Sequence, residues 1–216
     1  MERMRPHRLC ALLLAALSWP VAVWAATPAA QDYQEAIAST PDPQRGARLY
    51  VTCAGCHREN GSGNIDGSVP LIAGQHPRVL MRQLADYRHA RRWDARMQHY
   101  SDTHVLADPQ AIADVAAYVA TLEFRGRNGT GNGKLVSIGR SLFAMHCAAC
   151  HGKSGEGNAG DAVPRVAGQH FAYLLGQFHE ARAGSRRAFT AEHVQMLQGL
   201  DDDQLTGLAD ALSRMN

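Results

Sequence analysis

With 216 residues, 45% of them hydrophobic, the chain is long enough for two small domains that each bury a core. Its 22 basic and 20 acidic side chains leave a formal charge of +2, and the N-terminal stretch contributes Arg3, Arg5 and Arg8 against Glu2 alone. Without that stretch the charge is neutral, which excludes the basic surface that nucleic-acid binding needs.

The basic start runs into an apolar segment from Leu9 to Val23, interrupted by Ser18 and Pro20 and closed by Val23-Trp24-Ala25-Ala26. A basic start, a short apolar run and small residues at its end predict a cleaved signal peptide over residues 1–25. The run is short and interrupted for a membrane anchor. No later segment approaches a transmembrane length, so a soluble, periplasmic mature protein is expected.

A helix predicted from Gln44 to Cys53 leads into Cys53-Ala54-Gly55-Cys56-His57. Its counterpart from Ser137 to Cys147 leads into Cys147-Ala148-Ala149-Cys150-His151. Two thiols one helical turn apart can each form a thioether to a haem vinyl group, and the next histidine then lies under the iron. Paired Cys-x-x-Cys motifs also bind zinc, but the histidine in both copies and the export signal favour haem. Of the five cysteines, Cys10 falls in the signal peptide and the motifs use the others. None remains for a disulfide or a catalytic thiol. Two covalently bound haem c groups are therefore expected, on Cys53 and Cys56 with His57 and on Cys147 and Cys150 with His151.

The offset between the motifs carries on through the residues C-terminal to each, as in an internal repeat. Gly61, Gly63 and Asn64 match Gly155, Gly157 and Asn158, and Pro70 matches Pro164. Ala73-Gly74-Gln75-His76 matches Ala167-Gly168-Gln169-His170; Gln83 and Arg92 match Gln177 and Arg186. Second helices are predicted over Pro77–Arg91 and Phe171–Ala183, with Pro77 suited to a first helical position. Final helices are predicted to start at Asp108-Pro109 and at Asp201, both good N-caps. Between the halves, residues 125–134 hold four glycines, two asparagines and no apolar side chain, and read as a flexible linker. The domains are then 32–124 and 135–216, all-α, with no alternating strand pattern. Arg91-Arg92 and Arg186-Arg187 read as solvated helix ends or as partners of haem propionates or carboxylates.

On both Cys-x-x-Cys-His motifs, Pro70-Leu71-Ile72-Ala73-Gly74-Gln75, Pro164-Arg165-Val166-Ala167-Gly168-Gln169 and the terminal helices, residues 44–215 resemble a dihaem cytochrome c of the cytochrome c4 family. That resemblance implies two class I cytochrome c domains in tandem. It implies that the carbonyls of Pro70 and Pro164 accept hydrogen bonds from His57 and His151, making better donors of the imidazoles. It also implies a methionine ligand from a loop before each last helix. Met97 stands at that place in the first domain, with His99 and His104 as competitors. In the second domain Met196 is the only methionine of the loop, whereas the usual loop length reaches His193, and both stay open as the sixth ligand.

The function so implied is single-electron transfer between a respiratory donor and a terminal oxidase or reductase. The partners would be membrane or periplasmic redox proteins, compatible with peripheral membrane contact. A cytochrome subunit of a periplasmic dehydrogenase complex is the second reading. A dihaem oxidoreductase with an open haem in domain two is the third, although the chain is short for a dihaem peroxidase.

Overall fold

The computed structural model describes residues 27–124 and 126–216; the signal peptide predicted over residues 1–25 lies outside them. Among the described residues there are ten α-helices, one π-helical turn and no strand, only an isolated bridge between Asn158 and Val163. No helix there is long and apolar enough to cross a membrane. The fold is all-α.

The first half runs α1 (Pro28–Ala38), α2 (Pro43–His57), α3 (Pro77–Arg88), α4 (Ala95–Ser101) and α5 (Pro109–Thr121). Sequence reading assigned neither α1 nor α4. Helix α1 begins at Thr27, whose hydroxyl accepts the Ala30 N–H, and buries Ala36 in the core of α2, α3 and α5. That core is built on Tyr50, Met81, Leu106, Ile112, Val115 and Val119. The second half runs α6 (Val136–Leu142), the π turn (Phe143–Cys147), α7 (Ala148–His151), α8 (Phe171–Arg182), α9 (Ala191–Gln198) and α10 (Asp202–Ser213). Its core splits in two, one part on Leu142, Phe143, Leu174, Leu208 and Leu212, the other on Ala181, Leu197 and Leu205.

The predicted caps hold the helix starts. Asp108 accepts the Ala111 N–H at 2.8 Å, with Pro109 at the first helical position of α5. Asp201 and Gln204 form a reciprocal capping box on α10. Asp108→Ala should cost about 1 kcal/mol, visible as a lower unfolding midpoint with unchanged haem content.

In each half the helix that leads into the haem motif, α2 or α6, crosses the last helix at glycine. A β-carbon on Gly46 would lie 2.1 Å from the Asp114 carbonyl oxygen, and one on Gly139 would lie 1.8 Å from that of Gly207. One residue more separates Gly139 from Cys147 than separates Gly46 from Cys53. The π turn absorbs this insertion. Gly139 thus keeps its crossing and Cys147 its place, while α2 needs no such turn.

The expected flexible linker is instead docked. Asp210 of α10 accepts the N–H groups of Gly131 at 2.9 Å and Gly133 at 2.7 Å. Asn128 donates to the carbonyls of Gln169 and Ser213. The buried carboxylate satisfies two of the segment's backbone N–H groups and the Asn128 side chain satisfies the helix end, so a composition suited to disorder here serves close approach.

Candidate haem sites and the surface between them

Each site is built from a helix end and a tight loop. Helix α2 carries Cys53, Cys56 and His57 on its last turns, and the π turn and α7 do the same for Cys147, Cys150 and His151. The loop then folds straight back. Gly63 donates to the His57 carbonyl at 3.0 Å and Gly157 to that of His151 at 2.7 Å. Both glycines have positive φ, and a side chain there would strike the backbone of the returning strand of loop. The return brings the Pro70 carbonyl 3.1 Å from His57 Nδ1 and the Pro164 carbonyl 3.0 Å from His151 Nδ1. A carbonyl accepts only, so Nδ1 carries the proton and Nε2 presents its lone pair.

Burial lowers the His57 and His151 pKa values, the proline carbonyls opposing it in part, so both rings are neutral donors at pH 7. Burial, and then the neighbouring thiol of the same motif, raises Cys53 and Cys147 to about 11. Such thiols stay protonated at neutral pH. Among the described residues no group of three or more His, Cys, Asp or Glu converges as a metal cage, so the zinc reading lacks a ligand set. The fit to haem is better: a helical pair of thiols, an oriented imidazole and a half-buried cation with an unused donor. That donor is Arg186 Nε, the one buried side-chain polar atom without a hydrogen-bond partner among the described residues. It suits a group that carries carboxylates.

The candidates for the sixth ligand separate. Met97 is half-buried at the third position of α4, where Asp94 caps its N–H at 3.0 Å. His99 and His104 pack on one another, tilted by 55°, with ring centroids 4.5 Å apart. In domain two the half-buried His193 faces His151 across 6.1 Å between ring centroids. Met196 packs instead into the apolar cluster of Ala181, Leu197 and Leu205, beside Phe178 and Phe189.

The two halves meet largely through residues that the repeat makes equivalent, and the glutamine and histidine bonds come in mirrored pairs, while Arg78 and Arg82 add unmirrored bonds to the Gly160 and Ala162 carbonyls. Gln169 receives the Leu71 N–H at 2.9 Å and donates to the Leu71 carbonyl at 2.7 Å. Gln75 does the same to Arg165, at 3.0 and 2.8 Å. His170 Nε2 bonds the Ser62 carbonyl and His76 Nε2 the Glu156 carbonyl, each at 2.8 Å. The Gly129 N–H donates to His170 Nδ1, which leaves Nε2 as the protonated nitrogen. His76 and His170, the N-cap residues of α3 and α8, thus also bind the opposite domain.

Two arginines close this surface. Arg92 donates to Gln83, Gln177 and the Tyr173 hydroxyl, and Arg186 donates to Gln177 and Gln83. Burial and then the Arg92 charge push the Arg186 pKa down to about 10, which still leaves both charged at pH 7. The reading of Arg92 and Arg186 as solvated helix ends is therefore corrected. Gln83 and Gln177 had no assigned role, although their shared repeat offset was the available signal.

A family model described as cytochrome c matches residues 43–123 and again 136–212. The chain is 32% identical to a cytochrome c4 of Thiocapsa roseopersicina, over 71% of this chain and 82% of that protein. In fold it is similar to reduced recombinant cytochrome c4 from Pseudomonas stutzeri, with a TM-score of 0.72 at 24% identity, covering 82% of this chain and 100% of that one. It is also similar to thiosulfate dehydrogenase (TsdBA) from Marichromatium purpuratum, with a TM-score of 0.70 at 26% identity. That match covers 81% of this chain but 40% of the other.

Proposed function

Because the chain belongs to the cytochrome c family, in its dihaem cytochrome c4 branch with two covalent haem c groups, we propose that it is a periplasmic shuttle for single electrons. It would run between a respiratory donor and a terminal oxidase or reductase. Haem c supplies a reversible one-electron couple when bound. The protein's part is to orient His57 and His151 by the proline carbonyls, keep water from the ring nitrogens, and hold the two sites in one fixed relation. Met97 is the sixth ligand we assign in domain one, on its placement in α4.

The observation that carries this reading is the reciprocal interface. A relation fixed by paired glutamine, histidine and arginine contacts shortens and stabilises any path between the two sites. A single-electron carrier with storage for two needs that arrangement, whereas a substrate-converting enzyme needs an open pocket beside one site. The test is to mix the reduced mature protein with membranes that contain terminal oxidase. Rapid reoxidation by two electrons per chain is expected. Reoxidation of one haem only, or none, would overturn the shuttle.

The likeness to a thiosulfate dehydrogenase spans a minor part of that chain and favours one second reading, a cytochrome subunit within a dehydrogenase complex. Purification from native periplasm distinguishes the two. A shuttle elutes free, and a subunit elutes in fixed ratio with a larger catalytic chain.

A further inference from the structure

From the placement of His193 we infer that the haem of domain two is held between two imidazoles, His151 and His193, while Met196 stays in the apolar core. This rests on the dihaem reading above and goes beyond it, because it makes the two centres chemically different.

Three observations converge. The first is register. Helix α4 begins after its cap Asp94, with Met97 as the third residue; helix α9 begins after its cap Thr190, with His193 as the third residue. In each case the cap side chain accepts the N–H of that third residue, Asp94 from Met97 at 3.0 Å and Thr190 from His193 at 3.4 Å. Position for position, His193 stands where domain one has Met97. Counting the repeat offset from the haem motifs misses this, since the segment before α9 is longer than the one before α4.

The second observation is distance. A metal–imidazole bond of about 2 Å on each side, with each ring centre about 1 Å beyond its nitrogen, separates two ligating rings by roughly 6 Å. The His151 and His193 centroids are 6.1 Å apart, with planes at 87°. The third is proton placement. His193 Nδ1 lies 3.0 Å from the Thr190 hydroxyl oxygen, as His151 Nδ1 lies 3.0 Å from the Pro164 carbonyl. With Nδ1–H donated to that oxygen, Nε2 keeps its lone pair in both rings, and such an outer hydrogen bond is the usual support of a metal-bound histidine. Met196 has none of these features. Its side chain packs against Leu197, Leu205 and their neighbours.

A thioether raises the potential of a haem relative to a second imidazole. Domain two is then the lower-potential centre and domain one the higher, so an electron that arrives at domain two passes downhill to domain one. The molecule has a direction.

Absorption and electron paramagnetic resonance of the oxidised mature protein test this, beside His193→Ala, His193→Met, Met196→Leu and Met97→Leu. A haem count of two per chain checks the dihaem reading separately; a count of one would sink that reading and this inference with it. With two haems present, the wild type should show the thioether–ferric charge-transfer band at the strength of one haem. Met97→Leu should abolish it. His193→Ala should turn one haem high-spin, and added imidazole should return it to low-spin. His193→Met should double the band and draw the two redox waves together. Met196→Leu should change none of these signals. The inference is overturned if Met196→Leu halves the thioether band or makes a haem high-spin, or if the wild type already shows the band of two haems.

Discussion

Gly139→Val should leave domain two unable to close around its haem, so that the purified protein carries one haem where the parent carries two. The reason is backbone contact. The β-carbon of any residue at 139 would lie 1.8 Å from the Gly207 carbonyl oxygen and 2.2 Å from its carbon, and neither atom can rotate away. Helices α6 and α10 would have to part along their crossing. Parting them removes Leu142, Leu208 and Leu212 from the contacts of one core cluster. Overpacking alone costs about 1–3 kcal/mol, and lost core contact adds to it. The total is a large share of the roughly 5–15 kcal/mol that keeps a domain folded. Haem content and the unfolding midpoint of domain two report the outcome. Gly55→Ala is the control. It has open space around it, and the repeat already carries Ala149 at the matching position. Equal loss in both variants would mean that the crossing is not the cause.

The second large effect is expected at the interface. Gln169→Leu removes both bonds to the Leu71 backbone and leaves a donor and an acceptor of Leu71 without partners. Each unsatisfied buried group costs about 1–3 kcal/mol, so about 2–4 kcal/mol of domain–domain attraction is lost for these partly buried bonds. Adding Gln75→Leu removes the mirror pair, which is more exposed and should cost less. The double variant should keep two haems with parent-like spectra, gain in radius of gyration, and slow electron exchange between its centres at least tenfold. An unchanged exchange rate would show that the interface does not set the path. The arginines are a poorer target for this test. Removing Arg92 deletes bonds to Gln83, Gln177 and Tyr173 but also relieves the like charge of Arg186, and the two effects oppose each other.

Much of this protein is written in short-range chemistry. Cys53, Cys56 and His57 are close because they follow one another on a helix, and the same holds for Cys147, Cys150 and His151. No folding information is needed to expect two haems from them, nor to place the caps Asp108 and Asp201 at the starts of the last helices. The repeat and the all-α pattern follow from the same local periods. Other features went unread. Helices α4 and α9 are only seven and eight residues long, and their residues, like those of α1, are ordered by the cores and caps they meet. The glycine-rich joint read as free chain because composition cannot show that the Asp210 carboxylate waits beneath it.

The sequence by itself therefore determined what is attached, on which residues, and that the unit occurs twice. Those facts depend on neighbours along the chain. The tertiary structure alone decided that Gln75 and Gln169 hold each other's domain, that Arg92 and Arg186 share one buried network, and that His193 rather than Met196 faces His151. Each of these joins residues far apart in the chain. Which pair meets is settled by how helices cross at Gly46 and Gly139 and where a cap such as Thr190 starts a turn, and a count of residues carries neither distance nor direction.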